Sequence, residues 1–333
     1  MGMQFPNSDQ VMLEVEITTV RKIALGVVAL ELRPCSGYEL KPFEAGAHID
    51  VVLPVRDANG QNMVRQYSLC NDPQEHHRYV IGVGRDVQSR GGSEWLNEHA
   101  KLGDILHISI PRNNFSLNES ADHTVFVAGG IGVTPLLAMA RRLSAIGRPW
   151  TFYYCARNPE RAAFLTELSQ LPGAVIPVFD GLPEGKPIDL YEVMANAPLS
   201  AHFYCCGPSS LMEAFQRAAA DRPPSHVHVE WFKRKSFEPQ TLQGDQSFEV
   251  KLARSGLSLN VPKNKSLLDV LVDAGIAVQH SCCDGVCGTC ETRVLEGVPE
   301  HRDSVLFGDD AKSTDRMMVC VSRSITPHLT LDL

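Results

Sequence analysis

No run of about 18 apolar residues, the length a membrane-spanning helix needs, occurs anywhere in the chain, so no membrane span is expected. Met1 to Gln10 lacks a basic segment followed by an apolar one, so no secretory signal is read there. Internal repeats and low-complexity tracts are missing too. Positive charge is in short supply: 31 Lys and Arg against 39 Asp and Glu leave a net charge of −8. Nucleic acid is held by clustered cations, so it is not an expected partner. Mild acidity suits either solubility or electrostatic guidance of a protein partner. With 44% apolar and 21% charged residues the composition is that of a soluble globular protein, and 333 residues are too many for one core, which implies two or three domains. The ten cysteines are clustered, which without a signal peptide points to a reducing compartment, the cytoplasm.

From Val11 to about Leu117 the chain runs in short alternating or apolar stretches: Leu13 to Val20, Ala24 to Leu32, His48 to Leu53, Arg65 to Leu69, Tyr79 to Val83 and Ile105 to Ile110. Turn-rich pieces separate them, so an antiparallel barrel or sandwich is expected. From Thr124 the rhythm changes. Strands at Val125 to Ala128, Thr151 to Cys155, Val175 to Phe179 and His202 to Cys205 alternate with helices at Leu136 to Ile146, Ala162 to Leu168 and Leu211 to Ala219. That alternation predicts a parallel, doubly wound α/β sheet. A polar linker from Lys233 to Gln246 leads to strands at Phe248 to Leu252 and Leu257 to Val261, then a helix from Ser266 to Ala274 with Ser266 as its N-cap. This last part is a small α+β unit.

Cys282, Cys287 and Cys290 stand in C-x4-C-x2-C spacing, and Cys320 supplies a fourth thiol. This is the ligand pattern of a plant-type [2Fe-2S] centre, whose irons take soft thiolates from one tightly turning loop. Gly285 and Gly288 permit the turns. Structural zinc is the competing occupant, but it usually takes two short-spaced pairs. Cys283 is surplus and read as a non-ligand. A [2Fe-2S] centre passes one electron at a time, so a hydride donor upstream requires a two-to-one-electron converter, for which a flavin is the natural candidate.

Arg65 and Tyr67 share one face of a barrel strand, placing a cation for phosphate beside an aromatic plane for a flavin ring; a surface pair is the plainer alternative. Arg90-Gly91-Gly92-Ser93 opens a helical stretch, Glu94 to His99, and offers N–H groups to phosphate, or else is only a helix capped by Ser93. Gly129-Gly130-Ile131-Gly132 follows a strand and precedes a helix without matching G-x-G-x-x-G, so it reads as a pyrophosphate or nicotinamide approach of another family, or as a tight turn. Cys206-Gly207-Pro208 ends a later strand at the carboxyl edge where doubly wound sheets bind ligands. Among twelve histidines, His76-His77 is a loop pair and His226-Val227-His228 alternates along a strand, so neither is read as bringing three ligands together.

Taken in order, Arg65-x-Tyr67-Ser68-Leu69, Gly91-Gly92-Ser93, Gly129 to Pro135, Cys206-Gly207-Pro208 and the cysteine loop resemble the ferredoxin-NADP reductase superfamily with a C-terminal ferredoxin domain. The resemblance is closest to the phthalate dioxygenase reductase family, reductases of Rieske-type aromatic-ring oxygenases, and covers nearly the whole chain. It implies a multidomain fold: an antiparallel β-barrel flavin domain at 1–118, an α/β doubly wound NAD domain at 119–233, a linker at 234–246 and an α+β ferredoxin-like β-grasp domain at 247–333. It implies FMN, held by Arg65, Gln66, Tyr67, Ser68, Arg90, Gly91, Gly92 and Ser93. Gly84 departs from the family, in which a basic residue often precedes the equivalent of Arg85. NAD falls to Gly129, Gly130, Gly132, Thr134, Asp180, Cys206, Gly207 and Pro208, with Ser68, Thr134, Cys206 and Phe232 at the reacting centre. NADH is expected over NADPH because Asp180 suits ribose hydroxyls and repels a 2′-phosphate, although Arg157 argues the other way. The implied function is an NADH-dependent reductase delivering single electrons through the cluster to a Rieske-type oxygenase, as a cytoplasmic monomer. A free-standing reductase of a small molecule or metal complex, or a non-enzymatic carrier or sensor, are the other readings.

Overall fold

The computed structural model describes residues 11–35, 37–56, 60, 62–86, 91–233, 246–306 and 312–333. The chain divides into two compact units, Met1–Phe232 and Lys233–Leu333.

The first unit begins with β1 (Met12–Ala24), β2 (Val27–Pro34), β3 (His48–Arg56), β4 (Asn62–Ser68), β5 (Tyr79–Gly84), helix α1 (Gly92–Glu98) and β6 (Ile105–Ser109). The strands form one antiparallel sheet in the order β4-β3-β6-β1-β2-β5, and a bridge from Leu69 to Ile81 joins its two ends into a barrel. Alternate residues such as Val15 and Ile17, Leu30 and Leu32, and Ile49, Val51 and Leu53 meet in one core, as the period of two dictates. The strand expected from Ala24 begins at Val27, because Gly26 turns the chain at φ 74°. Both faces of β3 are covered, and its second face buries His48 and Asp50. A buried carboxylate needs partners, and that of Asp50 has two, Arg112 at 2.8 Å and the Gln66 amide at 2.8 Å, while the Ser109 hydroxyl accepts the Asp50 backbone N–H at 2.9 Å.

The same unit continues with β7 (Thr124–Gly129), α2 (Val133–Ala145), β8 (Trp150–Ala156), α3 (Leu165–Ser169), β9 (Ala174–Phe179), α4 (Leu190–Asn196), β10 (His202–Cys206), α5 (Ser209–Ala218) and β11 (Val227–Glu230). Its strands are all parallel, in the order β11-β10-β7-β8-β9. Every residue of the central β7 is buried. The chain winds outward through β8 and β9 and then crosses to β10, so the winding reverses between β7 and β10, where doubly wound sheets open a crevice. Helix α2 starts at Val133, earlier than expected, because Pro135 lies in the first turn, where its missing N–H costs nothing. The helix expected from Ala162 is shorter: Phe164 takes a left-handed φ of 59°, and α3 starts after it. The unforeseen α4 is capped by Asp189, whose carboxylate accepts the Glu192 N–H at 3.0 Å.

The strand placement of the His226-Val227-His228 pair is corrected here. His226 lies in a 3₁₀ turn ahead of β11, and His202 from β10 joins it and His228 in a stack, with centroids 4.3 Å (His202–His226) and 5.4 Å (His202–His228) apart. His202 Nδ1 and His228 Nε2 are 3.1 Å apart, and Tyr204 stacks on His228 at 4.2 Å. Burial, with His202 and His226 alongside, pushes His228 down to about 4, and burial with Arg112 beside it does the same to His48. Both rings are neutral when folded, so the stability tied to them is whole above pH ~6.5 and is lost as pH falls through about 4. The loss is roughly 1–3 kcal/mol for each ring, and denaturant titrations of the protein at pH 7 and pH 4.5 are expected to show it as a lower midpoint at pH 4.5.

The second unit contains β12 (Phe248–Leu252), β13 (Ser258–Val261), α6 (Leu267–Asp273), β14 (Glu291–Glu296), β15 (Pro299–Glu300), β16 (Arg316–Met318), β17 (Arg323–Ser324) and β18 (His328–Leu331). The main sheet runs β13-β12-β18-β14-β16, with β12 parallel to β18 and antiparallel to β13, the mixed β-grasp arrangement. Ser266 caps α6 as expected and is answered by Asp269, completing a capping box. Leu267, Leu268 and Leu271 pack on Phe248, Val250, Leu329 and Leu331, in the core that also holds Cys290 and Cys320. Arg323 is buried, with its guanidinium 5.2 Å from the Phe248 ring centroid and donating to the carbonyls of Lys265, Pro262 and Gln246.

Candidate functional site

On β4, Tyr67 is register partner of Ile49 and Arg65 of Val51, so both face the barrel core. Tyr67 packs half-buried against that core, which raises its phenol above the ordinary range. A Cβ on Gly92 would come within 3.0 Å of Arg65 Cγ and Leu53 Cδ1, so strand β4 and the start of α1 meet closely. Gly91 holds φ 107°, open to glycine, and no side chain caps the first N–H groups of α1. Arg65, Tyr67, Gly91 and Gly92 are therefore gathered, and a cation, an aromatic face and a helix N-terminus in one place suit a phosphate-bearing aromatic cofactor such as a flavin. Ser93 is the second residue of the helix rather than its cap, which corrects that alternative; its hydroxyl accepts the Asp86 N–H at 3.3 Å. Gln66 and Ser68 lie on the other face of β4, where the Gln66 amide donates to Asp50. Arg85 pairs with Glu98 at 3.0 Å on α1. Arg90 lies outside the described residues.

At the reversal point of the second sheet, the Gly129–Gly132 turn and Cys206-Gly207-Pro208 are in direct contact. A Cβ on Gly132 would lie 2.1 Å from the Cys206 carbonyl oxygen, one on Gly129 2.5 Å from Pro208 Cδ, and one on Gly207 3.0 Å from Gly129 Cα. Gly130 adopts φ 53° facing open space. Thr134 is buried, donates to the Ile131 carbonyl at 3.0 Å, and its methyl would stand 2.7 Å from a Cβ on Gly82, so β5 of the barrel approaches the head of α2. The Cys206 thiol is fully buried, and burial, then Glu230 and Cys205, raise it far above its ordinary value, so it is a neutral thiol. Phe232 is exposed just beyond β11, beside buried Trp231. Asp180 follows β9 and faces Arg157 at 3.6 Å, so the two residues that argued for different nucleotides form one ion pair.

Glu230 is the residue that sequence reasoning passed over. It ends β11 as the register partner of Cys206, Ser68 donates a hydrogen bond to its carboxylate, and its Oε2 is buried without a partner. Burial pushes this carboxyl up to about 8, against the pull of Ser68. The only sequence signal was its place at the carboxyl edge of the sheet next to the aromatic pair Trp231-Phe232. Ser68 of the barrel and Cys206 of the doubly wound sheet thus share one neutral carboxyl.

In the second unit the four expected thiols sit in two pairs. Cys282 hydrogen-bonds Cys287, and Cys290 hydrogen-bonds Cys320, with Cys287, Cys290 and Cys320 buried. Within each pair the donor thiol pushes its partner down, so Cys287 and Cys290 are lowered and Cys282 and Cys320 raised. The Asp284 N–H donates to Cys282 Sγ at 3.4 Å, and the Thr289 hydroxyl lies 3.2 Å from Cys287 Sγ. Among the described residues no three His, Cys, Asp or Glu side chains converge as they would for a single ion. Two thiol pairs ringed by N–H donors fit a two-iron cluster, with Cys282 and Cys287 on one iron and Cys290 and Cys320 on the other. Gly285 (φ 67°) and Gly288 (φ 70°) make the turns of the loop, and Cys283, also at positive φ (54°), is exposed.

A barrel with a phosphate cradle, a doubly wound sheet sharing a buried carboxyl with it, and a β-grasp unit carrying four paired thiols define the class of pyridine-nucleotide reductases that deliver electrons through an iron-sulfur centre. Residues 250–324 match the 2Fe-2S iron-sulfur cluster binding domain family. The β subunit of phenoxybenzoate dioxygenase from Ectopseudomonas oleovorans is 47% identical over 318 residues, 94% of this chain and 96% of that protein. Tetrachlorobenzoquinone reductase from Sphingobium chlorophenolicum is 41% identical over 96% of this chain and 98% of its own. Among solved structures, phthalate dioxygenase reductase, described as a modular structure for electron transfer from pyridine nucleotides to [2Fe-2S], is 40% identical over 97% of this chain and 98% of that one, with a TM-score of 0.69. The chain belongs to the phthalate dioxygenase reductase family, the oxidoreductase components that supply oxygenases with electrons.

Proposed function

We propose that this protein is the NADH-dependent, FMN-containing reductase of a Rieske-type oxygenase. The observation that carries the reading is the meeting of the RxYS strand with the two glycine motifs of the doubly wound sheet around Glu230, in a chain that also holds two paired sets of thiols. When bound, the flavin and the cluster convert the hydride of NADH into single electrons. Arg65 and the N–H groups of Gly91 and Gly92 anchor the flavin phosphate, with Ser93 alongside, and Tyr67 packs on the ring system; the close meeting of Gly92 with Arg65 supports that anchor. Ser68 and Cys206 border the reacting centre, and Thr134 fixes the head of α2 there. Gly129, Gly130 and Gly132, with Gly207 and Pro208, let the dinucleotide approach the backbone, and Phe232 covers the entry. Cys282, Cys287, Cys290 and Cys320 hold the cluster. The domains run 1–118, 119–233 and 247–333 with the linker at 234–246. The protein works as a monomer in the cytoplasm; all ten cysteines are free of disulfides, which suits a reducing compartment. NADH oxidation coupled to hydroxylation that begins only when a purified Rieske oxygenase is added tests the partner, and a released flavin with the mass of FMN tests the cofactor.

The likeness to tetrachlorobenzoquinone reductase supports a second reading, direct reduction of a small quinone. Quinone reduction as fast as oxygenase reduction, at equal acceptor concentration, would favour it.

Two further outcomes are expected. Glu230 is neutral below pH ~8 and ionises as pH rises through it. A neutral carboxyl places an O–H donor beside Ser68 and Cys206, whereas a carboxylate puts an unscreened charge there, so flavin reduction by NADH in stopped flow is expected to slow about tenfold across pH 8. Glu230→Gln, which cannot ionise, removes that slowing. Asp180→Ala frees Arg157 to meet a 2′-phosphate. The ratio of kcat/KM for NADH over NADPH is expected to drop about tenfold; an unchanged ratio would show that Asp180 is not the discriminator.

A further inference from the structure

The first unit holds a cavity of about 150 Å³ between the barrel and α2 and α3. Its walls mix charge with apolar surface: Arg21, Arg78, Arg141, Glu31, Glu75 and Glu167 beside Leu30, Val80 and Phe164. Most of the charges are spoken for. Arg78 binds Glu31 at 2.6 Å and Glu75 at 2.5 Å, Arg33 binds Glu31 at 2.8 Å, and Arg21 faces Glu167 at 3.5 Å. Arg141 has no ion pair or hydrogen bond among the described residues, and its Nε is buried without an acceptor. Three guanidinium groups and three carboxylates line the cavity; with Arg21 on Glu167, Arg78 on Glu31 and Glu75, and Arg33 reaching Glu31 from outside the lining, Arg141 is the lining cation left without a carboxylate among the described residues.

A buried, unsatisfied guanidinium donor is costly unless something accepts from it. We propose that this cavity is a binding site for a small organic monocarboxylate, held by Arg141 through its fork of donors with the apolar body against Leu30, Val80 and Phe164. A carboxylate matches the guanidinium in a two-point bond. A dianion does not fit: burial works against the charge on Glu31 and Glu75, yet their hydrogen bonds to Arg33 and Arg78 outweigh it and keep both carboxyls ionised, so a second negative charge meets repulsion. A space of this size holds a benzene-sized body.

The cavity also reaches the nucleotide site. Arg141 lies two turns along α2 from Thr134, on the same face. Phe164, a cavity wall residue with a left-handed backbone, sends its ring to the point on Gly82 that Thr134 also crowds, 2.8 Å and 2.7 Å from where a Cβ would sit. Occupancy thus bears on the head of α2, and this coupling, unlike the binding itself, rests on Thr134 serving the nicotinamide.

The test is calorimetric titration of the holoprotein with sodium benzoate, sodium acetate and inorganic phosphate at constant ionic strength. Saturable one-to-one binding of benzoate, tighter than acetate, with phosphate weakest, is expected. Arg141→Gln is expected to weaken benzoate about tenfold or more while flavin and cluster spectra and basal NADH turnover stay as they were. Peptide mapping of the unmutated protein after phenylglyoxal treatment provides an independent readout, in which benzoate protects Arg141 but leaves exposed Arg148 reactive. Phosphate binding more tightly than benzoate, equal benzoate affinity in Arg141→Gln, or absence of protection at Arg141 would each overturn the proposal. Benzoate that binds through Arg141 but leaves the KM for NADH unmoved would overturn the coupling alone.

Discussion

Cys287→Ser is expected to purify with its flavin but without iron-sulfur absorbance, and to lose about 100-fold or more of NADH-driven electron delivery to an external acceptor. Cys287 is buried, hydrogen-bonded to Cys282 and approached by the Thr289 hydroxyl, so a serine there removes a soft ligand from the pair. Cys283→Ser is the control. That thiol is exposed, outside both pairs, and its Sγ lies 3.8 Å from the Ser281 carbonyl, so absorbance and electron delivery stay intact. Visible absorption and low-temperature electron paramagnetic resonance of the reduced proteins decide the matter. A cluster that survives in Cys287→Ser and disappears in Cys283→Ser would shift the ligand register by one.

Gly132→Ala is expected to have the other large effect. The added methyl would sit 2.1 Å from the Cys206 carbonyl oxygen and 2.8 Å from the Gly207 nitrogen, and both obstacles are backbone. Neither yields as a flexible side chain does, so the turn and the edge of β10 must separate, at a cost of roughly 4 kcal/mol or more. Reduction of the flavin by NADH should fall at least about 100-fold, and the melting temperature of the variant should drop by several degrees. Reduction by dithionite should remain, because it does not use the nucleotide crevice. Gly130→Ala is milder: nothing stands within 4 Å of its Cβ, and the cost is only that of a left-handed φ of 53°.

The order of the motifs carried the architecture from the sequence. Period-two runs such as His48 to Leu53, the strand-glycine-helix passage at Val125 to Leu136 and the C-x4-C-x2-C loop each have a local cause, so each was legible. What was not legible depends on contacts between distant residues. Glu230 looks like one acid among 39 acidic residues until β10 and β11 pair and Ser68 arrives from the barrel. His202 becomes the third member of the histidine stack only through the parallel pairing of β10 with β11. Asp50 reads as an ordinary polar alternation in a strand, yet Arg112, about 60 residues on, is what lets it lie buried. Asp180 and Arg157 were read as opposing arguments about the nucleotide, and their ion pair makes them a single element that a substitution would split. Positive φ at non-glycine residues, as at Phe164 and Cys283, has no sequence signature at all.

The central claim is that one chain takes a hydride from NADH and passes it on as single electrons through its own cluster. Anaerobic titration of the protein with NADH, followed across the visible spectrum, tests this most directly. Flavin and iron-sulfur absorbance should bleach together, with about three electrons taken up per protein, two by a flavin and one by a [2Fe-2S] centre. A flavin that is fully reduced while the cluster stays oxidised would contradict it.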